Sequence, residues 1–142
     1  MKVPTIFEFV EKQKRDKYRI NANGYVKADG FKSLYVRFGP KYIGYNYFED
    51  VLDLANIVAD KPKNGAFNKL IEAIGQRYPT VSIYVENVMD PKFGIALKRK
   101  GFNEIRTGPG FSSYFLKGDC KNVTYKHYKT QNNGLEFVRE SR

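Results

Sequence analysis

The stretch VLDLANIVADKPKNGAFNKLIEAI, residues 51–74, changes its hydrophobic period halfway along, and that change decides the fold class. From Val51 to Ala59 it is apolar over the length of one strand, with no helical spacing, which predicts a central and largely buried strand. Asp60–Asn64 is a short loop with Lys61 and Lys63 around Pro62. After Gly65 the period becomes helical: Phe67, Leu70, Ile71 and Ile74 fall at i, i+3, i+4 and i+7, on one face of a helix that Tyr78-Pro79 ends. A strand, a loop and a Gly-led helix in succession form a junction at which phosphate groups bind in α/β proteins. Amides of the first helical turn lack intrahelical partners and sit at the positive end of the helix dipole. Gly65 has no Cβ to obstruct a close approach, and Lys61 and Lys63 flank the loop with positive charge. Gly also begins many helices that bind nothing, so the junction alone is weak.

Downstream a second strand–helix unit follows. VSIYVE (81–86) has a buried-strand pattern, and Pro91 opens a helix to Lys100, with Phe93, Ile95, Ala96 and Leu97 as apolar members and Gly101 as its cap. Phe102–Arg106, Ser113–Lys117 and Val123–Tyr128 read as strands, and the tail from Thr130 is polar. Upstream, Ile6, Phe9, Val10 and Gln13 predict an amphipathic helix within Thr5–Lys17, started by Pro4. Tyr25–Lys27 is a short strand between turns, and Phe31–Phe38 alternates as a longer one. Gly39-Pro40 reads as a tight turn, with Tyr42–Phe48 as the hairpin partner. Leu54, Ile57, Leu70, Ile71, Ile74, Ile83, Val85, Leu97 and Phe102 are the expected core.

The 142 residues suit one domain, residues 1–142. Lys plus Arg number 25 against 15 Asp plus Glu, a formal charge of +10. Residues 91–130 hold nine basic and two acidic side chains, so this segment would attract an anionic partner or simply form a solvated basic face. No apolar run reaches membrane-span length, and residues 1–17 lack a signal-peptide pattern. The single Cys120 excludes an intrachain disulfide and suits a reducing compartment, the cytoplasm of a cell or an infected host. With His127 the only histidine, no metal site is expected. A Cys120/His127 nucleophile lacks any supporting third group.

Across residues 51–102 the chain resembles the acyl-CoA-binding half of the GNAT acetyltransferase superfamily. GAFNKLI (65–71) matches the family's Gly-x-Phe/Gly-x-x-Leu-Leu loop variant, and the second unit closes on the family's Gly-Phe, here Gly101-Phe102. The resemblance implies an α/β fold of the mixed α+β kind. Its sheet would be mostly antiparallel, with the strands at 51–59 and 81–86 parallel neighbours splayed around a cofactor cleft. Residues 1–30 would be a shortened helical N-terminal part, and 51–102 the acyl-CoA-binding part. It implies that the backbone of Ile57 and Val58 pairs with the pantetheine arm of acetyl-CoA, or of another acyl-CoA. Amides of Gly65, Ala66, Phe67 and Asn68 would hold the pyrophosphate beside Lys61 and Lys63, and Asn87 and Phe93 would lie near the thiol end. Ile57, Val58 and Phe93 read equally well as core residues.

The departures lie at the chemistry. Asp90 stands where the family often has Asn, and Pro62 where Arg or Gln precedes the phosphate glycine. Leu97 stands where Tyr often protonates the departing thiolate, and Leu has no proton to give. Asp53, with Glu49 and Asp50 just before it, is a candidate base if burial raises its pKa; otherwise it is a carboxylate at a strand bulge or sheet edge. Tyr84 either donates the proton that position 97 lacks or packs in the sheet. Two functions follow. One is an acyl-CoA-dependent N-acyltransferase that acetylates an amine on a small molecule or protein. The other is an inactive module of the same fold, such as a viral particle component, found in the virion, or an inhibitor of an anionic partner.

Overall fold

A computed structural model describes residues 3–16, 22–61, 65–120, 123–129 and 135–141, the last two stretches by their backbone alone. The elements run α1 (Ile6–Arg15), β1 (Ala22–Val26), β2 (Phe31–Ile43), β3 (Asn46–Ala59), α2 (Ala66–Arg77) and β4 (Ser82–Val88). They continue as α3 (Pro91–Arg99), β5 (Asn103–Gly108), β6 (Phe111–Leu116), β7 (Val123–Lys129) and β8 (Leu135–Ser141). The fold is α+β, with a mixed sheet in the order β1-β2-β3-β4-β6-β5; β7 pairs with the start of β3, and β8 with β7. Among the described pairs β3–β4 is the parallel one, joined through α2, and the other ladders are antiparallel. Among the described residues no helix is long and apolar enough to cross a membrane.

Strand alternation sends one set of side chains to each face of the sheet. Leu34, Val36 and Phe38 of β2, Leu52 and Leu54 of β3, and Ile83 and Val85 of β4 form one core with Ile6 and Val10 of α1, Leu70 and Ile74 of α2, and Leu97 of α3. The other face carries a smaller cluster of Phe48, Val51, Tyr84 and Phe115. Helix α1 starts at Thr5, not at Pro4: the Thr5 hydroxyl accepts from the Glu8 amide, and the Glu8 carboxylate accepts from the Thr5 amide. Pro4 instead lends its carbonyl to the Lys27 amide, tying the helix to the end of β1.

Two expectations need correction. Gly39-Pro40 is not the hairpin turn, because β2 runs through it to Ile43 and the chain reverses at Gly44-Tyr45. Pro lacks the N–H a regular ladder needs and is tolerated where the register shifts, here between Gly39 and Lys41, while Gly44 supplies the φ of +63° at the reversal. The strand expected at 51–59 is therefore the second half of a longer β3. It is also buried only through Leu54, so Ile57 is half-buried, and so is Ile71 on α2. The reason lies in how β3 leaves β4.

Candidate functional site

Strands β3 and β4 pair only between Val51–Leu54 and Ser82–Val85. There β3 carries an extra residue: Tyr35 faces Asn56 and Val36 faces Leu54, which leaves Ala55 bulged. A bulge bends its strand and increases the local twist. At the same level the β4–β6 register breaks between Val85 and Val88, and Asn87 takes a φ of +48°. The strands separate around a cavity of about 230 Å³, bounded by Ala55, Asn56 and Ile57 on one side and Glu86, Asn87 and Val88 on the other. Ile57, Asp90 and Phe93 also bound a larger hollow of about 650 Å³ that reaches Lys61 and Gly65–Asn68 at the start of α2. The two hollows share these walls, so a groove leads from the split in the sheet to the first turn of α2.

Most of the residues expected to bind cofactor meet in this groove. Gly65 caps α2 in the left-handed conformation at φ +79°, and open space surrounds the position of a Cβ there. Ala66, Phe67, Asn68, Lys61, Ile57 and Phe93 line the larger hollow, with Phe67 and Phe93 edge to face at 5.0 Å. Three expectations fare differently. Val58 is 41% exposed and its side chain turns away from that of Ile57 by alternation, so only its backbone can meet a ligand laid along β3. Asn87 borders the split, but its side-chain oxygen accepts from the Thr107 hydroxyl at 3.1 Å and its backbone N–H donates to the Ser113 hydroxyl at 3.0 Å. The side chain thus braces the bulge. Lys63 lies outside the described residues.

The expected catalytic residues stand on the sheet face without helices. Register aligns Arg37, Asp53 and Tyr84 across three strands, and Glu86 follows Tyr84 by two positions on the same side. Asp53 is 4% exposed, and its Oδ1 is buried with no hydrogen-bond partner among the described residues. Its Oδ2 lies 3.7 Å from Arg37 Nη1 and 3.8 Å from Lys41 Nζ. Burial, then hydrogen bonding to Glu86 and the charge of Glu86, push the Asp53 carboxyl up to about 8 against the pull of Lys41 and Arg37. Glu86 goes the other way. Burial works against its charge, but the hydrogen bond with Asp53 and the ion pair with Arg37 hold it below its ordinary value. Asp53 and Glu86 therefore share one proton at neutral pH. Burial raises the Tyr84 phenol above its ordinary value, so it stays protonated, with the Lys41 ammonium 4.5 Å over its ring. Glu49 and Asp50 lie outside the groove lining.

Glu86 is the residue that sequence reasoning missed. It borders the split directly, whereas Asp53 lies behind it and touches a smaller pocket with Arg37 and Lys41. Period-2 spacing from Tyr84 was the available signal, but only the divergence of the strands shows that it ends in a groove. Lys92, Ala96, Lys100 and Phe31 were likewise missed as groove residues. Cys120 Sγ rests 3.7 Å from Ser82 Oγ, and the side chain of His127 lies outside the described residues. Among the described residues no three His, Cys, Asp or Glu side chains converge as a metal site would require.

Leu97 is 0% exposed in the main core. Leu97→Tyr is therefore expected to overpack it and destabilise the chain by about 1–3 kcal/mol, read in a urea melt, without adding a proton donor to the groove. The basic segment at 91–130 is not one face. Lys92 and Lys100 line the groove, while Lys98 pairs with Glu104 and borders a separate hollow with Arg106. The side chains of Lys121, Lys126 and Lys129 lie outside the described residues. No protein-family model, no curated protein and no solved structure matches the chain.

Proposed function

We propose that the chain is an acyl-CoA-dependent N-acyltransferase of GNAT type, which transfers an acetyl or similar acyl group to an amine. The observation that carries this reading is the split between the parallel strands β3 and β4 at the Ala55 bulge, continuous with a groove to the first turn of α2. The groove fits an acyl-CoA. Its narrow end lies along the part of β3 that has left β4, where an extended arm can add as a strand. Its wide end is mostly apolar, with Gly65 and the first-turn amides at one side and lysines around them.

Bound acetyl-CoA would supply the thioester whose acyl carbon goes to the amine, with the thiolate as leaving group. The Asp53–Glu86 pair takes the proton that the attacking amine loses, Glu86 receiving it at the groove and passing it to Asp53 behind, where the pair's proton rests. While the pair keeps its shared proton it is a poor base, because the only open position belongs to a Glu86 held below its ordinary value. Above the Asp53 pKa of about 8 the pair is fully ionised and matches the basicity of an amine. Turnover per enzyme is thus expected to rise with pH and level off above about 8, and a rate independent of pH from 6 to 9 would remove the pair from the chemistry. Tyr84 keeps its proton through this range, but it is not part of the groove lining. The thiolate is therefore assigned solvent as its proton source.

The direct test is thermal denaturation with CoA. A ligand at about a hundred times its dissociation constant adds about 2.7 kcal/mol, a shift of several degrees for a chain of this size. No shift at millimolar CoA would end the reading. The burial of Leu97 favours a second reading, a noncatalytic module on the same scaffold. Binding of CoA without thiol release from acetyl-CoA, over a panel of primary amines, would select it.

A further inference from the structure

The cations of the groove are not gathered at the start of α2, where a diphosphate would sit. Lys92, Phe93, Ala96 and Lys100 fall within about 100° of arc around α3 and its cap, and that arc is the wall that faces Gly65–Asn68. The helix cannot rotate away from this placement, since Gly94 and Leu97 on a separate arc are buried. Lys92 and Lys100 sit eight positions apart, roughly 12 Å along the axis, a gap that two long flexible lysine stems can close around one phosphate held between them. Lys61 adds a third cation across the groove. The acidic residue among the lining, Asp90, already accepts from the Lys92 amide at 3.0 Å as the cap of α3. Between the lysines the wall is apolar, with Phe93 and Ala96 opposite Phe31 and Ile57, a surface suited to a flat ring.

Building on the acyl-CoA reading, we infer that Lys92 and Lys100 hold the 3′-phosphate of the ligand. The wide end of the groove is then a site for a nucleotide with a phosphorylated ribose, distinct from the diphosphate position at α2. The consequence is discrimination between CoA and dephospho-CoA, which differ only in that phosphate.

Isothermal titration of the wild type and of the Lys92→Met/Lys100→Met variant with CoA and with dephospho-CoA, at one fixed ionic strength, tests this. Both lysines are exposed and Met preserves most of the apolar stem, so the fold is not at stake; a thermal melt of the variant verifies it. The wild type is expected to bind CoA at least about tenfold more tightly than dephospho-CoA, as for a charge-assisted hydrogen bond. The variant is expected to bind both with the affinity the wild type shows for dephospho-CoA. Equal binding of the two ligands by the wild type overturns the inference and leaves the acyl-CoA reading standing. Discrimination that survives in the variant overturns the assignment to these lysines. Failure of the wild type to bind either ligand removes the acyl-CoA reading, and this inference with it.

Discussion

Asp53→Asn is expected to lower turnover by about two to four orders of magnitude while making the folded chain more stable than the wild type. An amide cannot take up the amine's proton, and the remaining Glu86 is held below its ordinary value and is too weak a base to replace it. The stability gain follows from the raised pKa. The folded state keeps the Asp53 proton up to about pH 8, whereas the unfolded chain releases it near the ordinary value of 3.8. Between those limits the folded state binds more protons than the unfolded state, so this group's contribution to stability falls as pH rises. Asn presents the same hydrogen-bond donor to Glu86 at every pH and removes that loss. The variant should therefore gain on the wild type progressively from pH 4 to pH 8, as measured by urea melts across that range. Thiol release from acetyl-CoA over a panel of primary amines gives the other half. A variant that is less stable at pH 8 than the wild type would show that Asp53 is ionised in the fold, and the shared proton would have to be abandoned.

Gly65→Glu is expected to abolish CoA binding, whereas Lys129→Ala leaves it nearly unchanged. Gly65 borders the groove at the first turn of α2, so a glutamate there brings a side chain and a negative charge to the place where a diphosphate meets backbone amides. Steric and Coulomb effects act together. The left-handed conformation at φ +79° also strains any side chain, by roughly 1–2 kcal/mol. Gly65→Ala carries the same backbone strain without the charge, and open space surrounds its Cβ, so it serves as the control and should retain measurable binding. Lys129, in β7 and remote in sequence from the groove residues, contributes only screened attraction. If a folded Gly65→Glu protein binds CoA with unchanged affinity, the phosphate site is not at the start of α2. A basic, noncatalytic module would then be the better reading.

Much of the scaffold was legible in the residues. The change of period after Gly65, the second unit closing at Gly101-Phe102, and the apolar positions at 70, 74, 83, 85 and 97 are local patterns, and the structure keeps each of them. The parallel pairing of the two strands was an implication of the resemblance to GNAT proteins, and the helix between them supplies the crossover that parallel neighbours require. What failed was also local in origin. Gly39-Pro40 has turn chemistry, yet a Pro at a register shift satisfies the same constraints.

The sequence by itself determined the strand–loop–helix junction at Gly65, the second strand–helix unit and the buried helix positions Leu70, Ile74 and Leu97, because these depend on backbone conformation and on spacing along one segment. The tertiary structure alone decided where β3 leaves β4. The bulge at Ala55 exists only in the register of β3 against β2, and no residue type announces it. It alone also decided that Glu86 reaches the groove, that burial beside Glu86 pushes the Asp53 carboxyl up, and that Lys92 and Lys100 face α2. Each of these depends on distances between segments far apart in the chain, and a carboxylate's proton affinity is set by its neighbours and its burial rather than by its place in the sequence.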